Sequence, residues 1–577
     1  MFTFQKKLIE IISSEDKSYC NSEKLKNNTC ILPLIHYYKN ELYILESYPK
    51  NITNIQVSVA KDQNNKTIVI CRSKTNNFLI AIEGKEGILL YDNNSLRKCF
   101  NNYKINYMEE YVNIKNLWIL TEERPKKEVI GAIIEKFAKD TGIACFINNI
   151  RILPLLNDDK TFTFTYEVKG LDSQYVNRIF IKTVSGYSSF VDFLIFFQEK
   201  EPTLNDTPIY AIEETKTDDA ESRNTGVYQR ASKFVYIEYY YPNIKKIMLY
   251  SLQVNQKEEA TPTNVFGTRC LLTIGVEILG KRLDPEIMIP FTSVDEVIEA
   301  KNAMRQPPAG NVPININKTG NKIQVSGRLF KDKGLSHDPN IGSLSLICST
   351  LRTLDWQGEL EITLHGLSQS HVNATNKFIK IANRFNIGLD GLTIANPKEK
   401  EAYWRYDTQG EKLGTIFVHL VVDNFTNGFS IYENHAGCER GYFLTSRGEP
   451  IAVEKYKDKA AYKAGDKAQI IHIPDLVLAD IDRLKIINVE GKKDTTMEQG
   501  IQELNNFDAF ENTYIKTYYP DYTEIIRTVV IYGGVKEAID RIEVSFLLNK
   551  EGKMVLSIHA PELFHEAIRN LLDYWRL

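Results

Sequence analysis

Two stretches of this chain hold carboxylates and a lysine at spacings that suit metal-assisted hydrolysis of a phosphate ester. In "IPDLVLADIDRLKIINVEGKK" (473–493), Asp475 leads one apolar run, and Glu490 closes another with Lys492 two residues on. In "VDFLIFFQEKEPTLNDTPIYAIEETK" (191–216), Asp192 and then Glu214 and Lys216 repeat the layout. Mg²⁺ takes oxygen ligands, often one or two carboxylates with waters and substrate phosphate. It neutralises charge on the reacting phosphate and lowers the pKa of the attacking water. Strand side chains alternate, so a lysine two residues after a carboxylate shares its face.

The flanking runs are expected to be strands. "KIINV" reads as a central strand and "IIHIPDLVL" as its neighbour, which sets Asp475 facing Glu490 across the sheet. Beyond Lys492, Met497, Ile501, Leu504 and Phe507 recur at helical spacing, Thr495 or Thr496 can cap the helix, and Gln499 and Gln502 fall in its early turns. Upstream, a helix near 225–236 carries Gln229, and the polar loop "TDDAESRNTG" offers Arg223 and Asn224 to phosphate. Glu213 adjoins Glu214, but only Glu214 shares a face with Lys216. Asp206 rivals Asp192 from a polar, loop-like setting, and Glu128 and Glu135 on a preceding helix are further ligand candidates.

The C-terminal stretch resembles the PD-(D/E)xK nuclease superfamily: Pro474, Asp475, Glu490, Gly491 and Lys492 match its motif literally. The upstream stretch resembles it with Val191 in place of the proline. The resemblance implies two mixed sheets flanked by helices, with Mg²⁺ held at strand ends by Asp192 and Glu214 and by Asp475 and Glu490. Lys216 and Lys492 complete the catalytic sets, with Gln229, Gln499 and Gln502 auxiliary. Similarity to type II restriction endonucleases with two different catalytic sites implies a cytoplasmic enzyme acting on double-stranded DNA, each site cutting one strand. It would work as a monomer or homodimer, with a DNA methyltransferase as a genetic rather than physical partner. The competing expectations are a repair or phage-defence nuclease with one active and one structural copy, and a non-catalytic DNA-binding protein on the same fold.

The expected fold class is α/β (α+β) and multidomain. Residues 1–120 read as a β-rich N-terminal domain, 121–255 as the first nuclease-like unit, 256–390 as a middle α/β region, and 391–577 as the second unit. The last unit is expected to contain strands at "GTIFVHLVV", "RGYFLTS", "KIINVEG" and "TVVIYGG" and a closing helix, "PELFHEAIRNLLDYW". DNA reading is assigned to the N-terminal and middle regions. "KDKGLSHDPNIGSLS" supplies Lys331, Lys333, His337 and Asn340, and "HGLSQSHVNATNKFIKIANRF" supplies His371 and Lys377, with Lys380 on the same helix. Arg440, in "HAGCERGYF", is expected near DNA beside the second site.

Composition excludes several classes. With 43% hydrophobic and 25% charged residues over 577 positions, the chain is globular and long enough for several cores. Its net charge of −3 gives no global signal of phosphate binding. No apolar run approaches the ~20 residues of a membrane span, and the charged, polar start does not read as a signal peptide. The eight cysteines form no CxxC pair and the nine histidines show no HExxH spacing, so no zinc centre is expected. The absence of GxxxxGK[ST] argues against an ATP-driven system.

Overall fold

The computed structural model describes residues 115–576 except 144, 174–175, 187–189, 216–225, 251–261, 281–285, 287, 305–313, 329–338, 375, 395–401, 409, 436–440 and 534–541, together with the backbone of strands between 34 and 111. The architecture is mixed α/β, with several mixed sheets. Strands 34–38 and 41–45 form a hairpin, and strands 87–91, 78–84, 67–73, 55–62 and 105–111 form, in that order, an antiparallel sheet.

The largest sheet is built around β1 (Lys115–Thr121), whose run "LWIL" is apolar on both faces and is buried on both. On one side of β1 stand β2 (Phe193–Gln198), β3 (Tyr210–Thr215), β4 (Lys245–Tyr250) and β5 (Val276–Leu279). On its other side lie strands Val176–Gly186, Phe162–Ser173 and Cys145–Leu156. The sheet crosses the expected domain limits: β5 comes from beyond residue 255, and Trp404–Tyr406 pairs with Val176–Gly186 from beyond residue 390.

Helix α1 (Lys127–Thr141) packs Val129, Ile130, Ile133, Ile134 and Phe137 with the face of Ile119, Phe193 and Ile212, and ends at Gly142, whose φ of 70° suits a left-handed cap. Helix α2 (Gly226–Tyr240) covers the opposite face, with Phe234, Val235 and Ile237 in the core that holds Leu120, Leu194 and Ala211.

The middle region is a four-stranded sheet (315–319, 322–328, 359–365, 388–389) packed with helix Pro339–Thr353, which lies on α2. Lys380 corrects an expectation here. It is 1% exposed, donates to Tyr240 Oη at 2.5 Å, and lies over the rings of Tyr236, Tyr239 and Tyr240, so it is a core residue rather than a surface contact.

The last sheet runs β6 (Phe429–Glu433), β7 (Leu476–Asp480), β8 (Lys485–Lys493), β9 (Glu524–Tyr532), β10 (Val544–Leu548) and Met554–Leu556. "GTIFVHLVV", expected as a strand, is instead the body of helix α3 (Lys412–Phe425). Every residue from Leu413 to Val422 is buried, because α3 packs against β8 and β9, strand Cys145–Leu156 and the closing helix at once. A helix covered on all sides loses its amphipathic period, so its sequence reads like a buried strand. Helices α4 (Met497–Leu504) and α5 (Glu562–Arg576) complete the unit. No helix among the described residues is long and apolar enough to cross a membrane.

Candidate functional site

In the last sheet, β7 and β8 are antiparallel with Leu476 opposite Val489, which brings Asp475 and Glu490 together just past the paired residues. The Gly491 amide donates to Asp475 Oδ2 at 2.9 Å. Lys492 Nζ stands 2.8 Å from Glu490 Oε1 and 2.7 Å from Glu503 Oε2, which α4 contributes. Gln499 donates to the other oxygen of Glu503 at 2.8 Å. Two glycines allow this closeness: a Cβ on Gly491 would lie 2.6 Å from Thr415 Cγ2, and one on Gly500 would lie 2.5 Å from Lys492 Cγ. The start of α3 borders the cluster through Glu411, whose Oε1 accepts from Thr496 Oγ1 at 3.0 Å and whose charge acts on Asp475.

Among the described residues, the electrostatics are those of an acidic cluster with more carboxylates than cations. Burial pushes the Asp475 carboxyl up, opposed by the Gly491 amide and Lys492 and reinforced by Glu411 and Glu503. Burial raises Glu490 further, with Asp475 repelling its ionised form. Burial works against the Lys492 ammonium, but Glu490 and Glu503 outweigh it and hold the lysine protonated.

In the large sheet, β2 and β3 repeat the register: Phe193 lies opposite Ile212, so Asp192 meets Glu213. The Asp192 amide donates to Glu213 Oε2 at 3.3 Å, and the Glu214 amide donates to Asp192 Oδ2 at 2.7 Å, as the Gly491 amide does to Asp475. Position by position, Asp192 matches Asp475, Glu213 matches Glu490, Glu214 matches Gly491 and Thr215 matches Lys492. Among the described residues, the cation at this centre comes from α2: Lys233 Nζ lies 2.6 Å from Glu213 Oε1 and 3.4 Å from Asp192 Oδ1. Glu122, just past β1, accepts from the Gly186 amide at 2.6 Å. Its carboxyl is raised by burial against the pull of that amide, Lys412 and Lys233, with Asp192 adding repulsion.

The expected pairing of Asp192 with Glu214 is therefore corrected. Alternation along β3 sends Glu214 to the opposite face, where its Oε1 lies 3.8 Å from Lys126 Nζ at the entry to α1. Asp206 is held in its turn by the amide and hydroxyl of Thr203 and by Gln198, away from both centres. Gln499 reaches the C-terminal cluster only through Glu503, and Gln502 lies on the same helix. Lys216, Arg223, Asn224, Lys331, Lys333, His337 and Arg440 lie outside the described residues. Gln229, Asn340, His371 and Lys377 fall on described helices, but their side chains lie outside what is described.

Sequence reasoning does not find Glu411, Glu503, Glu122 or Lys233. Lys233 follows Gln229 by one helical turn, so Gln229 marks the right helix but not the residue that reaches the carboxylates. The donor chemistry fits Mg²⁺: each centre offers hard oxygen ligands close together at a strand end. Comparison with known protein families, with characterised proteins and with solved structures finds no match to this chain.

Proposed function

We propose that this protein is a Mg²⁺-dependent endonuclease of restriction type that hydrolyses phosphodiester bonds in duplex DNA, each of its two centres acting on one strand. One observation carries the reading: an Asp–Glu–Lys cluster occurs twice on strands of the same order and direction. In both sheets the first two neighbouring pairs are antiparallel and the next two parallel. The crossover helix supplies Glu503 to one cluster and Lys233 to the other. Bound Mg²⁺ supplies charge neutralisation and an acidified water. Asp475 and Glu490 would hold it in the last sheet, and Asp192 and Glu213 in the large one. Lys492, kept protonated by its two carboxylates, offsets phosphate charge rather than accepting a proton. Lys233 has the same part at the other centre.

Cutting a duplex takes two hydrolyses on antiparallel strands, and two different centres in one chain suit an asymmetric sequence. Base reading then belongs to the N-terminal and middle regions, location to the cytoplasm, and self-protection to a separate DNA methyltransferase. The test is cleavage of supercoiled plasmid in Mg²⁺ by wild type, Glu490→Ala, Glu213→Ala and the double variant. Two strand-specific centres require linear product from wild type, nicked circles from each single variant and none from the double. A second reading is favoured by Thr215 standing where Lys492 stands: the large-sheet centre is a structural copy. In that case Glu490→Ala alone abolishes all cutting. If wild type binds DNA without cutting it under Mg²⁺, the nuclease reading fails.

A further inference from the structure

Behind the C-terminal centre, on the α3 side of the sheet, the chain brings together three ligating side chains that the nuclease reading does not use. They are His419 from α3, Glu433 at the end of β6, and His435 two residues later. His419 Nδ1 lies 3.1 Å from His435 Nε2 and 3.4 Å from Glu433 Oε2, and His435 Nε2 lies 3.6 Å from that same oxygen. Ligands of a tetrahedral Zn²⁺, each about 2.0–2.2 Å from the ion, stand about 3.3–3.5 Å apart. The triangle of donor atoms has that size.

The surroundings prepare these atoms to ligate. Thr415 Oγ1 lies 2.9 Å from His435 Nδ1 and 3.1 Å from the Lys412 carbonyl; with its proton on that carbonyl, it can accept from His435 Nδ1–H. That tautomer leaves the His435 Nε2 lone pair facing into the triangle, as the outer-shell partner of a metal-bound histidine does. Arg124 clamps Glu433, with Nε 2.6 Å from Oε2 and Nη2 3.1 Å from Oε1, which fixes the carboxylate plane. An ionised carboxylate has about four lone-pair sites, so Oε2 can accept from Arg124 and still bind an ion. His419 presents Nδ1 to the same triangle, and ligation there would put its ring proton on Nε2.

We infer that His419, Glu433 and His435 form a transition-metal site, best suited to Zn²⁺, that braces the two sheets. The ion would tie α3 to β6 and, through Arg124, to the segment linking β1 and α1. Thr415 joins it to the C-terminal centre, because its hydroxyl holds His435 while its methyl packs on Gly491.

The test uses full-length protein stripped with a chelator and titrated with Zn²⁺ in the presence of excess Mg²⁺, with Co²⁺ as a spectroscopic probe. The site predicts one Zn²⁺ per chain, a Co²⁺ spectrum of tetrahedral nitrogen–oxygen type and a raised thermal midpoint. Binding should persist in the Glu213→Gln/Glu490→Gln double variant. His435→Gln should weaken it by at least about 100-fold, and Thr415→Val, which keeps the shape and removes the acceptor, by about 10–100-fold. Absence of tight Zn²⁺ binding by wild type overturns the inference, as does unchanged affinity in His435→Gln and Thr415→Val. Loss of the ion in the Glu213→Gln/Glu490→Gln variant would place it at the carboxylate centres and equally overturn it.

Discussion

The two carboxylate centres share a strand scaffold and differ in where the cation comes from. At the C-terminal centre Lys492 sits on the carboxylate's own strand, two residues beyond Glu490. At the other centre Lys233 arrives from α2, and the residue after the carboxylate, Glu214, is turned away toward Lys126. What is held in common is the position of an ammonium group beside an Asp–Glu pair. Sequence spacing is one way to reach that position, and helix placement is another.

Glu213 and Glu214 should differ most sharply. In a Glu490→Ala background, which on the proposed function leaves cutting to the large-sheet centre, Glu213→Ala should lower the nicking rate about 10³-fold, roughly 4 kcal/mol of barrier. Glu214→Ala should stay within about threefold. The reverse ranking would restore the pairing expected from the sequence.

Stability should separate the centres next, by sign. Glu213 is fully buried with Lys233 beside it, so Glu213→Gln removes the nearer of the two carboxylates paired with that ammonium and should cost about 3 kcal/mol in chelator-treated protein. Glu490 behaves oppositely. Its carboxyl is raised in the folded state, so folding takes up protons and metal-free stability declines as pH rises from the ordinary carboxylate range through neutrality. Glu490→Gln removes that penalty and should add about 1 kcal/mol at pH 8, close to the free energy of a tenfold change in proton affinity. Mg²⁺ should stabilise wild type increasingly as pH rises over the same window. Urea unfolding with and without Mg²⁺ at several pH values reads both effects.

Gly491→Ala is expected to destabilise by about 2 kcal/mol, because its Cβ would meet Thr415 Cγ2 and crowd Asp475. The smallest effect is at Gln499, whose bond to Glu503 is exposed. Gln499→Ala should change stability by about 0.5 kcal/mol and cleavage by less than about twofold.

These contrasts also mark what is legible in the sequence. The strands around Asp475 and Glu490 and the helix after Lys492 are readable, because alternation and helical spacing are local signals. The cross-strand partner of Asp192 is not. Counting back from Lys216 favours Glu214, whereas the hairpin register that sets Phe193 against Ile212 selects Glu213. Lys233 is hidden for a related reason: no spacing rule links a strand end to a position on the next helix. Helix α3 reads as a strand because burial on every side erases its period. Lys380 reads as a surface residue because a cage of three tyrosines offsets a cost that ordinarily keeps lysine exposed. The His419–Glu433–His435 triangle draws on a helix and the following strand, a grouping that motif spacing does not reveal.

Whether Lys233 completes the second centre is decided by nicking of supercoiled plasmid in the Glu490→Ala background after Lys233→Ala or Lys216→Ala. Lys233→Ala should abolish nicking, and Lys216→Ala should leave it within about threefold of the background rate. Nicking that survives Lys233→Ala and disappears with Lys216→Ala would contradict it.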